Sequence, residues 1–157
     1  MPADPSALTP FVQDVFPGAT ISLLDCGGFA CTFRVQQGTD DLAAKFIDPT
    51  QSTTPIREDR EVIALQSVNH PNVVRYRDTG THTRGARTVR YLVMDFIEGE
   101  SLRSMFNRSH AFGFDELATI AEDIAAATRR IEGHVEVAGF AIGGDDIGVD
   151  RLDCLPI

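Results

Sequence analysis

The stretch "EVIALQSVNHPNVVRY", residues 61–76, changes its periodicity halfway along. Val62, Leu65 and Val68 recur at helical spacing. His70-Pro71-Asn72 then stops the helix, because a proline ring disfavours helical geometry in the residue before it. The continuation "VVRYRDTG", residues 73–80, is β-branched and aromatic and predicts a strand. Upstream, Pro55 stands near the helix start, where a missing N–H costs least.

Working outward toward the N-terminus, "TISLLDCGG" (20–28) and "FACTFRVQQ" (29–37) predict two strands meeting around Gly27-Gly28. "GTDD" (38–41) is a turn into a third strand, "LAAKFI" (42–47), and the three form an antiparallel meander. "PSALTPFVQDVF" (5–16) predicts a short helix ended by Pro17-Gly18. Toward the C-terminus, "RTVRYLVMDF" (87–96) is a further strand, joined to the one at 73–80 by a polar loop containing Gly80 and Gly85. "EGESL" (98–102) breaks the sheet. "DELATIAEDIAAATRRI" (115–131) is the clearest helix: Asp115 is its expected N-cap and Leu117, Ile120, Ala121, Ile124, Ala127 and Ile131 form an apolar stripe. Arg129 and Arg130 suit the negative end of its dipole, and Gly133 is the expected stop. Residues 134–157 have weak strand character and many glycines. The fold class is α+β.

The chain has 157 residues, enough for one domain or for a small lobe and part of another. Its net charge of -9 argues against a nucleic-acid or anionic-membrane partner, since phosphate attracts clustered Lys and Arg. No stretch approaches the roughly 18 continuous apolar residues of a membrane span, and "MPADPSALTP" lacks the basic and apolar regions of a signal peptide. Cys26, Cys31 and Cys154 have neither the pairing of a zinc site nor the density of a disulfide scaffold. These features predict a reduced, cytoplasmic setting.

"DDLAAKFID" (40–48) holds the chain's one lysine, Lys45, among thirteen arginines. A lysine in an apolar run is either a surface charge or a placed one. The order and motifs together resemble a eukaryotic-type Ser/Thr protein kinase from about residue 20 to 132. "EVIALQSVNHPNVVRY" resembles the helix αC to strand four segment of that family, "RYLVMDFIEGESL" (90–102) strand five, hinge and the αD entry, "LAAKF" (42–46) the V-A-I-K strand, and "LLDCGGFACTFRV" (23–35) the Gly-rich loop. The implied fold is a kinase-like N-lobe, a five-stranded antiparallel sheet plus helix αC, followed by a hinge and a long αE-like helix. The implied divisions are an N-terminal extension (1–19), the ATP-binding lobe (20–97), hinge and αD/αE-like helices (98–133) and a divergent tail (134–157).

The resemblance implies that Lys45 contacts the α- and β-phosphates of ATP and that Glu61, on the αC-like helix, holds it by an ion pair. These two are the expected catalytic residues. Leu24, Gly27, Gly28, Ala43, Met94, Asp95 and Ile97 complete the expected nucleotide site, with Thr32 in its roof and Asp95 and Ile97 meeting the adenine edge through their backbones. The same residues can also be read as sheet core and, at 27–28, as a plain hairpin turn. Asp25 and Ala30 stand where the family has glycine, and a carboxylate at 25 opposes a polyanion unless it turns away.

No H-R-D-x-x-x-x-N, D-F-G or A-P-E run follows the long helix. Asp145 and Asp150 imitate the spacing of base and metal ligand by coincidence, so no metal-binding residue is assigned. The expected cofactor is ATP, with Mg²⁺ if nucleotide binds. The expectation is a truncated kinase-like chain, inactive alone, with a partner protein or a separate C-lobe. The alternatives are a pseudokinase module that docks on a partner, or half of a split kinase.

Overall fold

A computed structural model describes residues 3–48 and 55–137, the side chains of 55–60 and 130–137 excepted. The described elements run α1 (Pro5–Val15), β1 (Thr20–Cys26), β2 (Ala30–Gln37), β3 (Asp40–Ile47), α2 (Pro55–Ser67), β4 (Tyr76–Arg84), β5 (Arg87–Asp95), α3 (Leu102–Asn107) and α4 (Phe114–Val137). The five strands form one antiparallel sheet in the order β1-β2-β3-β5-β4. The chain divides into two compact units, one of Met1–Val62 with Tyr76–Phe96, the other of Ile63–Arg75 with Ile97–Ile157.

In the first unit, period-2 alternation gives the sheet two distinct faces. Cys31, Phe33 and Val35 of β2, Ala44 and Phe46 of β3 and Val89 of β5 face one side, where they pack with Leu8, Phe11 and Val12 of α1. Helix α1 begins at an Asp4 cap, whose carboxylate accepts from the Ser6 N–H, with Pro5 at the first position. Burying Leu8 and Val12 completely contributes about 1.5–3 kcal/mol each. The opposite face carries Thr32, Ala43, Lys45, Leu92 and Met94, which the strand register aligns in two cross-strand rows, Thr32–Lys45–Leu92 and Ala43–Met94.

Two hairpins are tight. Gly38 and Gly85 lead two-residue loops with φ of 62° each, a conformation that side chains with a Cβ disfavour. Strand β4 extends through Gly80 to Arg84, so the polar loop expected between 80 and 85 is only the Gly85-Ala86 turn. Gly80 sits against Tyr91, and a Cβ there would lie 2.5 Å from the Tyr91 oxygen. The alternation of β4 is masked in the sequence because that strand is an edge and exposes most of its residues.

In the second unit, the turn after α2 has the form its sequence predicts: the Asn72 N–H donates to His70 Nδ1 (3.1 Å) and the Val73 N–H to the His70 carbonyl (3.0 Å). Asn72 Nδ2 also donates to the Asp123 carboxylate on α4 at 2.7 Å. The Ser101 hydroxyl caps α3 by accepting from the Ser104 N–H. Helix α4 starts at Phe114, which makes Asp115 a first-turn residue rather than the cap, and it runs through Gly133 to Val137. A lone glycine costs a helix about 1 kcal/mol, too little to end one already started. Residues 138–157, including Asp145, Asp150 and Cys154, lie outside the described residues.

Candidate functional site

Strand β3 delivers Lys45 to the face opposite α1, while Ala44 and Phe46 on either side of it are fully buried in the core. Helix α2 delivers Glu61. The Lys45 ammonium donates to both Glu61 oxygens, at 2.9 and 3.0 Å, so the two expected partners are brought together. Each side chain is about one-third exposed (30% and 35%). A pair this exposed adds only about 0.2–1 kcal/mol to stability. What it does is fix a positive charge in place.

Ala43 lies beside Lys45's row, between Arg34 of β2 and Met94 of β5. Ala43 is 9% and Met94 5% exposed, so both are buried on this face. Beyond Met94 the Phe96 N–H donates to the Asp41 carbonyl (3.2 Å), and the Arg34 guanidinium stacks 3.9 Å over the Phe96 ring. Arg34 also grips Asp41 through two hydrogen bonds, at 2.8 and 2.5 Å. That bond holds the Asp41 carboxyl below the usual carboxylate range. A trans peptide turns its carbonyl opposite to its N–H. The Asp95 carbonyl, on the same peptide as the Phe96 N–H, is therefore turned away from Asp41. Ile97 opens the second unit, and the Asp95 side chain is held by Arg77.

The glycine-rich turn differs most from expectation. Strand β1 carries a bulge between Leu23 and Asp25, so Leu24 has no directly opposed partner on β2 and is 44% exposed. Asp25 pairs with Thr32, and through it with Lys45, so its row belongs to the lysine face. Its carboxylate accepts from the next residue, the Cys26 N–H, at 2.8 Å. Cys26 and Cys31 oppose each other on the α1 face and are joined by a disulfide. The expectation of free thiols there is corrected: cross-strand neighbours in this register lie 4.1 Å apart at Cα, within reach of one bond. Cysteines flanking a two-glycine hairpin turn were the available signal, hidden because three cysteines in 157 residues do not look like a disulfide framework.

Among the described residues, no group of three or more His, Cys, Asp or Glu is placed to hold a metal. No described helix is long and apolar enough to cross a membrane.

No protein-family profile matches the chain. It is 30% identical over 129 residues to a RasGEF domain-containing serine/threonine-protein kinase X of Dictyostelium discoideum, covering 80% of this chain. It is 30% identical over 78 residues, half of this chain, to a probable serine/threonine-protein kinase PknB of Lactococcus lactis. The chain spans only 13% and 12% of the lengths of these two relatives. A crystal structure of Rad53 residues 1–466 in complex with AMP-PNP superposes with a TM-score of 0.52 at 23% identity, covering 70% of this chain and 30% of that one. The likeness is one of fold. Five antiparallel strands with the α2 helix make a protein-kinase-like N-lobe, and the chain corresponds to a segment of Ser/Thr protein kinases.

Proposed function

We infer that this kinase-like lobe binds a nucleoside triphosphate, ATP by the family resemblance, on the sheet face that carries Lys45. The carrying observation is the Lys45 ammonium held by both oxygens of Glu61 while remaining one-third exposed. Held in this way, the ammonium is preorganised for the α- and β-phosphates, and its charge is already localised before a ligand arrives. Ala43 would supply a small contact for a purine, with the buried Met94 opposite it on β5. The Asp95 carbonyl, turned away from Asp41, would accept from the adenine edge. Leu24, Gly27 and Gly28 would cover the phosphates from the β1–β2 turn.

Mg²⁺ fits less well. A phosphate-bound magnesium takes one or two protein carboxylates; among the described residues no group of three or more His, Cys, Asp or Glu is placed to hold a metal, and the carboxylate nearest Lys45, Glu61, is engaged by the ammonium. The sequence likewise contains no D-F-G run and no H-R-D-x-x-x-x-N run. We therefore assign this chain nucleotide binding without phosphoryl transfer of its own, in the cytoplasm. A second reading, docking on a partner protein or a separate C-lobe, is favoured by the exposure of Phe106 (63%), Phe114 (86%) and Leu117 (46%) in the second unit.

The test is thermal unfolding with and without MgATP, on the wild type and on Lys45→Ala. A ligand at 100 times its dissociation constant stabilises the native state by about 2.7 kcal/mol. The wild type is expected to shift and Lys45→Ala is not. A folded wild type that does not respond ends the nucleotide reading and leaves the docking module.

A further inference from the structure

The disulfide Cys26–Cys31 closes a six-residue ring, Cys26-Gly27-Gly28-Phe29-Ala30-Cys31, around the β1–β2 turn. Inside the ring the Gly27 N–H donates to the Ala30 carbonyl at 2.8 Å. The Gly27 carbonyl is occupied as well, accepting from the Ala3 N–H at 3.0 Å. Ala3 is 3% exposed, and its own carbonyl oxygen lies 3.7 Å from Cys31 Sγ. The start of the N-terminal segment is thus seated on the turn and its disulfide together. Both backbone polar groups of Gly27 are spent within the protein.

The turn as built does not need its glycines. Neither Gly27 nor Gly28 has a positive φ. A Cβ on Gly27 would meet nothing closer than the Ala30 oxygen at 3.9 Å, and one on Gly28 would meet nothing within 4 Å. Two adjacent glycines that the closed form does not require are permissive for a second form. In that form the Gly27 N–H can leave Ala30 and turn toward an anion.

We propose that Cys26 and Cys31 are a reversible thiol–disulfide site that closes and opens the glycine-rich turn. The co-reactant is a low-molecular-weight disulfide. In the closing direction the Cys26 thiolate, half-buried and the more accessible of the two, attacks one sulfur of the external disulfide and expels one thiolate. The fully buried Cys31, as thiolate, then attacks the Cys26 sulfur of the mixed disulfide and expels the second. Two protein thiols are oxidised, one external disulfide is reduced to two thiols, and the two cysteine protons pass to the departing thiolates. The opening direction is the reverse. Once reduced, the Cys31 thiol has an acceptor in place, the Ala3 carbonyl, so opening strands no buried donor. Resting on the nucleotide reading above, the closed turn withholds the Gly27 N–H from phosphate and is the weaker-binding form.

The experiment equilibrates the full chain, in a Cys154→Ser background, with oxidised or reduced glutathione. Alkylation and intact mass report the 26–31 bond, amide hydrogen exchange reports residues 26–31, and a fluorescent ATP analogue reports binding. The expected result is one intramolecular disulfide in the oxidised form, faster exchange at Gly27 and Gly28 on reduction, and about tenfold tighter binding by the reduced form, the worth of one charge-assisted hydrogen bond. Cys26→Ser, at a half-buried position, should exchange and bind like the reduced form whatever the glutathione mixture. Equal exchange in both forms, or no 26–31 bond under oxidation, overturns the proposal. Redox-dependent exchange with no binding by either form supports the site and overturns the nucleotide reading instead.

Discussion

Lys45 can be tested apart from the fold that carries it. Its ion pair with Glu61 is one-third exposed on both sides, so solvent screens it and its loss costs less than about 1 kcal/mol. Glu61→Gln keeps the side chain's size and removes its charge. The expected outcome is an unfolding midpoint in denaturant close to that of the wild type, with nucleotide affinity lowered at least about tenfold because the ammonium is no longer held in place. A large loss of stability with unchanged affinity would make the pair a structural one. Acid behaviour also belongs to single residues. Hydrogen bonds from Arg34 to Asp41, Arg108 to Glu100 and Ser6 to Asp4 lower the pKa of all three carboxyls from ordinary values of 3.8, 4.5 and 3.8. A lowered native pKa means that the unfolded chain binds the proton more readily. The stabilisation is complete above the ordinary value and is lost as pH falls through it toward the native value. Stability should therefore decline below about pH 4.5, and Asp41→Asn should flatten the decline below about 3.8 in a urea-unfolding series against pH. Lys45 and Glu61 were legible through the family resemblance, which puts the chain's one lysine on the third strand and its acidic partner nine residues before His70. The setting of Asp25 was not, because the bulge at Leu24 changes register without a sequence mark.

Among the elements, the inner strands and α2 were legible because their hydrophobic period shows locally, as in the alternation of β2 from Cys31 to Val35, whereas the exposed edge strand β4 shows little alternation. What α1 packs against was not legible. Its apolar residues Leu8, Phe11 and Val12 find Phe33 and Phe46 across the chain, a pairing that no local pattern encodes. This helix is integral to the first unit's core, although its sequence stands outside the resembling region. Leu8→Ala, at a site with no exposure, should cost about 2–5 kcal/mol of unfolding free energy in denaturant. A change below about 1 kcal/mol, the size of ordinary surface effects, would mean that α1 is a dispensable extension. Gly80 marks the other close contact. A methyl there meets the Tyr91 oxygen at 2.5 Å and Cζ at 2.7 Å, and the ring is stacked on Phe46 with 5.5 Å between centroids. Because that ring has little room to yield, Gly80→Ala should cost about 1–3 kcal/mol by overpacking. Tyr91→Phe should relieve only part of it, since the ring carbon remains.

For the whole molecule, binding and transfer are separate properties. Phosphoryl transfer requires a charge at the phosphates, a positioned acceptor and metal held by protein oxygens; these act together through geometry and preorganised electrostatics. Lys45 and Glu61 can supply the first. No H-R-D-x-x-x-x-N or D-F-G run supplies the others, and the segments matched in the two kinases this chain is similar to make up only 13% and 12% of their lengths. The expectation for the 157-residue chain is saturable binding of the ATP analogue with no label transferred from γ-labelled ATP to itself or to a generic basic protein. Background phosphorylation from a co-purifying kinase is separated by Lys45→Ala, which leaves such a contaminant untouched. Transfer that persists in Lys45→Ala is therefore foreign. Transfer that disappears with it would mean that residues outside the described segments position acceptor and metal, and the reading as a binding lobe without chemistry would fall. Adding a separately produced kinase C-lobe distinguishes one further case: activity that appears only on mixing, and is lost in Glu61→Gln, would make this chain one half of a divided enzyme.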